Sequence, residues 1–209
     1  MPVNLDSSRR RAPKPREALR SQLRETVRAA ILDAAEELIA LKGLHGAGLA
    51  QIAKKAGVAV GTLYNYFEDR DALVRALFET RRSTLRPKVQ DAFSAGTSLS
   101  FEPRLRRFMR DLFGAFESHR RYVKVLFEAE HLKPAGGHQD LLNAIDEIIA
   151  VGVAEGVIAK SNIEPLSITL AGALRGVLLR KSQSGGSFVD AADSIVTLLI
   201  DGARKRARP

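Results

Sequence analysis

Cysteine is absent from the 209 residues, and so is tryptophan. Without thiols the chain forms no disulfide and builds no thiolate metal site, which fits a reducing compartment. No apolar run approaches the ~18 residues that a membrane span needs. The basic N-terminus lacks the apolar stretch of a secretory signal. A cytoplasmic location with no membrane partner is therefore expected. Strand-like alternation and internal repeats are also missing. No spacing suits a Ser-His-Asp arrangement, a phosphate loop or paired catalytic carboxylates, so neither an enzyme nor a cofactor is predicted. Four histidines are present, and Glu128 and His131 stand three apart. That spacing is compatible with metal ligation on a helix, but one pair does not make a site, and no metal is predicted.

What is present is positive charge, unevenly placed. The formal net charge is +9. Residues 1–28 hold eight basic and three acidic side chains, and the last eight residues, GARKRARP, hold four basic ones. The excess therefore lies at the two ends, and residues 29–201 are neutral. Basic tails serve solubility, anionic lipid or nucleic acid, and charge alone does not choose among them.

Hydrophobic spacing predicts an all-α chain of about nine helices. Residues 1–20, rich in Pro and Arg, read as a flexible arm. From Ser21 a helical pattern begins, with Val27, Ile31, Ala34, Leu38 and Leu41 on one face and Gly43 as its C-terminal cap. LAQIAKKAG (49–57) is a short second helix. The next apolar set, Val60, Leu63 and Phe67, is the inner side of a third. Asp69 is the expected N-cap of a fourth helix, which Pro87 should kink or end. After the linker SAGTSLS come helical patterns at 101–117, 119–131, 138–155, 165–182 and 187–205.

Residues 57–67, GVAVGTLYNYF, contain no charged side chain. Three short helices with small residues in the second turn form a helix-turn-helix, in which one helix is laid into the major groove. Gly57 supplies a residue that tolerates positive φ. Ala53 and Ala56 leave room for close helix approach. Ala59, Gly61, Thr62, Asn65 and Tyr66 are the small or hydrogen-bonding outer residues.

AAILDAAEELIALKG followed by LAQIAKKAGVAVGTLYNYFEDRDALV resembles the DNA-binding region of the TetR family of bacterial transcriptional regulators. The resemblance covers residues 28–74 and rests on Gly57-Val58, on Gly61, Leu63, Tyr64, Tyr66 and Phe67 in their spacing, and on Arg70 and Leu73. A weaker likeness lies in EGVIAKSNIEPLSITLAGALRGVLL, similar to the start of that family's dimerisation helices. The resemblance implies an N-terminal three-helix DNA-binding domain (21–72), a helical effector-binding and dimerisation domain (73–205) and a basic tail (206–209).

Roles follow from chemistry and from that match. Tyr64 and Tyr66 suit phosphates, Thr62 and Asn65 base edges or phosphates, and the Gly61 amide a close backbone approach. Arg70 resembles the family's phosphate-contacting lysine, and Arg28, Lys54 and Lys55 are further phosphate candidates. Gly48, Gln51, Ala59 and Val60 complete the DNA-contacting set. Where the family usually has Thr-Thr or Ser-Thr before the second helix, this chain has Ala47 and Gly48. At Val60 the family often has a polar residue, and an exposed valine there suits a thymine methyl.

In the second domain, Phe108, Met109, Leu112, Phe116, Tyr122, Phe127, Leu174 and Leu178 are candidate lining for an apolar effector. Arg175 and Arg180 are candidates for an anionic group on it. Gly172 and Gly176 with Ile195, Val196 and Leu199 suggest a helix–helix interface, which the resemblance makes that of a homodimer. The expected function is a repressor released from a near-palindromic double-stranded DNA operator by a small, largely apolar effector. Two other readings stay open here: a sequence-indifferent DNA-coating protein, and a helical small-molecule-binding protein without a DNA role.

Overall fold

The first helix begins at a proline. In the computed structural model, which describes residues 15–132 and 137–203, α1 spans Pro15–Gly46. Proline is favoured in a first helical turn because its missing N–H is unpaired there anyway, and Glu17 complements the helix dipole. Residues 15–20 are thus helical, where the composition predicts a flexible arm. The remainder of that arm, and the tail at 206–209, lie outside the described residues.

Gly43, at φ +76, ends the straight part of α1, as the sequence predicts. Leu41, expected on the inner face, is 74% exposed, because the apolar stripe rotates away from the core one turn before that break. α2 (Leu49–Lys55), α3 (Val60–Tyr64) and α4 (Arg70–Ser94) follow. Asp69 caps α4, accepting a 2.6 Å hydrogen bond from the Ala72 N–H. Pro87 lies inside α4 and does not end it, the second of the two outcomes that the sequence allows. Its ring removes only the bond to the Ser83 carbonyl, and Ser83 and Pro87 both face solvent, while buried Leu85 and half-buried Val89 hold the helix on either side. α4 also runs unbroken through residues 72 and 73, where the sequence reading divides the domains.

The second half comprises α5 (Phe101–Glu117), α6 (Arg120–Glu128), α7 (Gly137–Ala154), α8 (Ile163–Ser184) and α9 (Asp190–Ala203), with 3-10 turns at Glu130–Leu132 and Lys160–Asn162. Among the described residues there is no strand. Two apolar cores result. The first joins α1 to α4 around Ile31, Ile52, Leu63, Leu73 and Phe78. The second packs α5, α7, α8 and α9 around Phe101, Phe108, Ile145, Leu170 and Val196. Gly152 is needed in that second core: a Cβ there would stand 2.7 Å from the Phe101 ring.

α6 is shared between them. Tyr122 and Val125 point into the first core, and Val123 into the second. The Phe78 and Tyr122 rings meet edge to face with centroids 6.0 Å apart. Burial pushes the Tyr122 hydroxyl up to about 12, against about 10 in an unfolded chain. The neutral phenol is the form the fold accepts. Its contribution is therefore intact below pH 10 and is lost as pH rises from 10 toward 12. Between pH 9 and pH 12, wild type should lose about 2 kcal/mol more than Tyr122→Phe in urea denaturation. Parallel losses would refute this.

Candidate DNA-binding surface and second core

Helices α2 and α3 meet through a turn that glycine makes possible. Gly57 has φ +72, and a Cβ there would meet nothing within 4 Å. The backbone conformation, not space, is what requires glycine. Ile52 and Ala53 of α2 and Leu63 of α3 are 0% exposed, and Phe67 is 5% exposed. This inner row fixes the rotation of α3. Val60, expected on the inner side, instead faces out at 40% exposure, since it begins the helix beyond the edge of the core.

The outward face of α3 then reads Ala59, Val60, Gly61, Tyr64 and Asn65, all exposed, with Thr62 and Tyr66 half-buried. None carries charge. Tyr64 is 52% exposed, so its ring is not part of the core, whereas Tyr66 lies against it with its ring 6.4 Å from that of Phe67. Gly48 caps α2 without a side-chain hydrogen bond, as the missing hydroxyl implies.

The cations around this face are not equivalent. Lys55 is 2.7 Å from Glu37, and that hydrogen bond holds the Glu37 carboxyl below its ordinary value. Gln51 accepts a 2.9 Å hydrogen bond from Lys42, a residue outside the predicted set. Arg28 lies thirteen residues into its helix. Its guanidinium donates to Thr80 at 3.4 Å and lies 5.7 Å from the Phe67 ring centroid. Arg70 opens α4 and is half-buried, and Lys54 is exposed. The helical start at Pro15 adds a row absent from the predicted set: Arg16, Arg20 and Arg24, four apart and exposed.

Residues 31–77 match the family model described as "Bacterial regulatory proteins, tetR family". The chain carries the DNA-binding region of the TetR family. It is a DNA-binding transcriptional regulator with a helical second domain. The HTH-type transcriptional regulator BetI of Escherichia coli (strain K12 / DH10B) is 26% identical over 164 residues, 74% of this chain and 82% of that one. A TetR-like transcriptional regulator from Rhodococcus sp. RHA1 has the same fold, with TM-score 0.69 and 24% identity over 92% of this chain and 98% of that one. The transcriptional regulator FadR from Bacillus subtilis, solved in complex with stearoyl-CoA, aligns with TM-score 0.63 and 19% identity, covering 84% of this chain and 99% of that one.

The predicted effector lining is divided between the two cores. Phe108, Met109, Leu112, Leu174 and Leu178 are packed together in the second core, while Tyr122 belongs to the first. Phe116 and Phe127 are half-buried at the margin. Two clefts open elsewhere on the described surface, of about 550 and about 360 Å³. Neither is lined by the predicted set. Arg175 bonds Glu130 at 2.8 Å and lies 5.1 Å from the Phe127 ring centroid, and Arg180 is exposed.

Among the described residues nothing lies within 4 Å of a Cβ placed on Gly172 or Gly176. Ile195 and Leu199 are half-buried. Val196 is 0% exposed within its own chain, so it cannot reach a partner. Two residues outside the predicted interface stand out beside them: Ile168 at 60% and Leu198 at 74% exposure. Glu128 ends α6 and His131 sits in the following 3-10 turn, so the two share no helical face. Among the described residues no group of three or more metal-type ligands occurs. No helix of the described chain is long and apolar enough to cross a membrane.

Proposed function

We propose that the chain is a cytoplasmic, non-enzymatic repressor that binds a near-palindromic operator as a homodimer and leaves it when a small, largely apolar effector enters the second core. The observation that carries the DNA reading is the uncharged, exposed face of α3, in a domain whose Lys54 and α1 arginines are exposed and whose Arg70 is half-buried. Charge near a groove supplies attraction to any phosphate, and uncharged hydrogen-bonding groups on base edges supply discrimination.

Thr62, Asn65 and Val60 read bases, Tyr64 and Tyr66 set register on phosphates, and Gly61 admits the backbone. Gly48, Gln51 and Ala59 border the groove. Arg28 and Lys55, held by Thr80 and Glu37, act mainly in positioning. The exposed apolar side chains Ile168, one turn before Gly172 on α8, and Leu198 on α9 support a two-fold interface through these helices. The apolar effector is favoured by the aromatic and aliphatic make-up of the second core, and by the FadR relative solved with stearoyl-CoA. Entry of such a ligand requires the packed core to open, and it shifts the dimer only by its differential affinity for the two states.

A gel-shift on the duplex upstream of the chain's own gene, with competitor DNA at moderate salt, tests the reading. Retention against competitor is expected. Equal binding to every duplex would favour a coating protein, and no binding would favour a helical carrier.

A further inference from the structure

Four arginines lie on α5, and three of them have carboxylate partners. Arg106 is 2.8 Å from Glu102, Arg107 is 3.5 Å from Asp111, and Arg110 pairs with Asp193. The fourth, Arg104, is the most deeply buried, at 9% exposure, and its Nε is sealed without an acceptor. No carboxylate on its own helix is left for it: Glu102 and Asp111 are engaged as above, and Glu117 pairs with Arg120. The segments outside the described residues contain a single acidic side chain, Asp6.

Such a residue is costly. A donor sealed away from water without an acceptor forgoes the hydrogen bond that it has in the unfolded chain. Its neighbours along the same face of α5, Phe101, Leu105 and Phe108, are 0% exposed, and the Phe93 and Phe108 rings lie 5.7 Å apart. A cation and an apolar wall therefore stand together in the second core. The cleft of about 550 Å³ is lined by Ser100 to Pro103 and Arg106 of α5 and by residues 155–157; Arg104 follows Pro103 in sequence but is not itself in that lining. The cleft's two carboxylates are already engaged, Glu102 by Arg106 and Glu155 by the Phe101 N–H at 3.2 Å.

We propose that Arg104 is the anion receptor of the effector site, holding the carboxylate or phosphate head of a ligand whose body is apolar. This rests on the effector reading above and narrows it to amphipathic acids. A fork of N–H donors matches either oxyanion in a bidentate way, and the apolar surroundings strengthen that bond.

The test uses the full-length protein with decanoate, decyl phosphate and decanol as probes, read by thermal melting and by release of operator DNA. Decanoate or decyl phosphate should raise the melting temperature and release DNA at a concentration at least ~10-fold below that of decanol, and which of the two acts names the head group. Arg104→Gln should lose the preference. Arg104→Met, relieved of its orphaned Nε donor, should melt about 3 °C above wild type without any probe. Equal action of decanol, no response to any probe, a preference surviving in Arg104→Gln, or a less stable Arg104→Met would each overturn the proposal. Operator binding without any probe reports on the repressor reading separately, so the two fail independently.

Discussion

Arg81→Met is expected to destabilise the protein by about 3 kcal/mol, the largest loss from any single ion pair in the described chain. Arg81 on α4 bonds both Asp33 and Glu36 of α1, with Nε 2.5 Å from Glu36 Oε2. The Glu36 side chain is only 10% exposed and that of Arg81 only 23%. Removing the guanidinium leaves a buried carboxylate without its cation, and the desolvation already incurred is then uncompensated. The Lys55–Glu37 pair offers the contrast. Its side chains are 37% and 44% exposed, so water replaces either partner, and Lys55→Met should cost under ~1 kcal/mol. Urea unfolding of Arg81→Met, Glu36→Leu and the double variant separates charge from packing. The double variant should recover at least half of the loss, because no buried charge remains. A double variant as unstable as Arg81→Met alone would show that packing of the arginine stem is what matters.

That pair also locates the junction of the two halves. The smaller cleft is lined by Glu36, Arg81 and Thr84 together with Glu117 to Arg121, the corner between α5 and α6. Tyr122, next along α6, reaches into the first core. α6 is therefore the element through which the effector reading proposed above would connect the second core to the reading unit, provided that a ligand binds two arrangements of it with different affinity.

The reading unit was legible in the sequence because each of its demands singles out a residue type. A positive-φ turn asks for Gly57, an inner row three and four apart asks for Leu63 and Phe67, and a capped start asks for Asp69. The second half was legible only as helices. Periodicity shows that Phe108 and Tyr122 are buried, but not that they are buried in different cores, since that depends on which helices α6 packs against. Val196 and Leu198 are both apolar and two apart. Only the placement of α9 shows that one is sealed and the other open. Arg104 sits in RLRRF, which reads as a basic surface run, and its burial becomes visible only once α5 is packed. Pro87 left two outcomes open for a related reason: packing on either side outweighs the one backbone bond that proline removes.

The remaining large effect concerns α3. Tyr64→Ala and Asn65→Ala together should weaken operator binding about 100-fold or more, each lost contact contributing about 1–3 kcal/mol. Both side chains are exposed and neither belongs to a core, so the melting temperature should hold within about a degree. Salt dependence supplies the finer test. Neither residue is charged, so the slope of log affinity against log salt should stay at its wild-type value. Arg70→Ala should lower that slope by about 0.9 per half-site while weakening all duplexes alike. Val60→Ala should relax preference at one base pair, if that methyl contact is to a thymine, and leave the slope untouched. If Tyr64→Ala with Asn65→Ala changes the slope but spares specificity, α3 lies along the backbone rather than in the groove. The uncharged stretch would then owe its composition to close approach and not to reading.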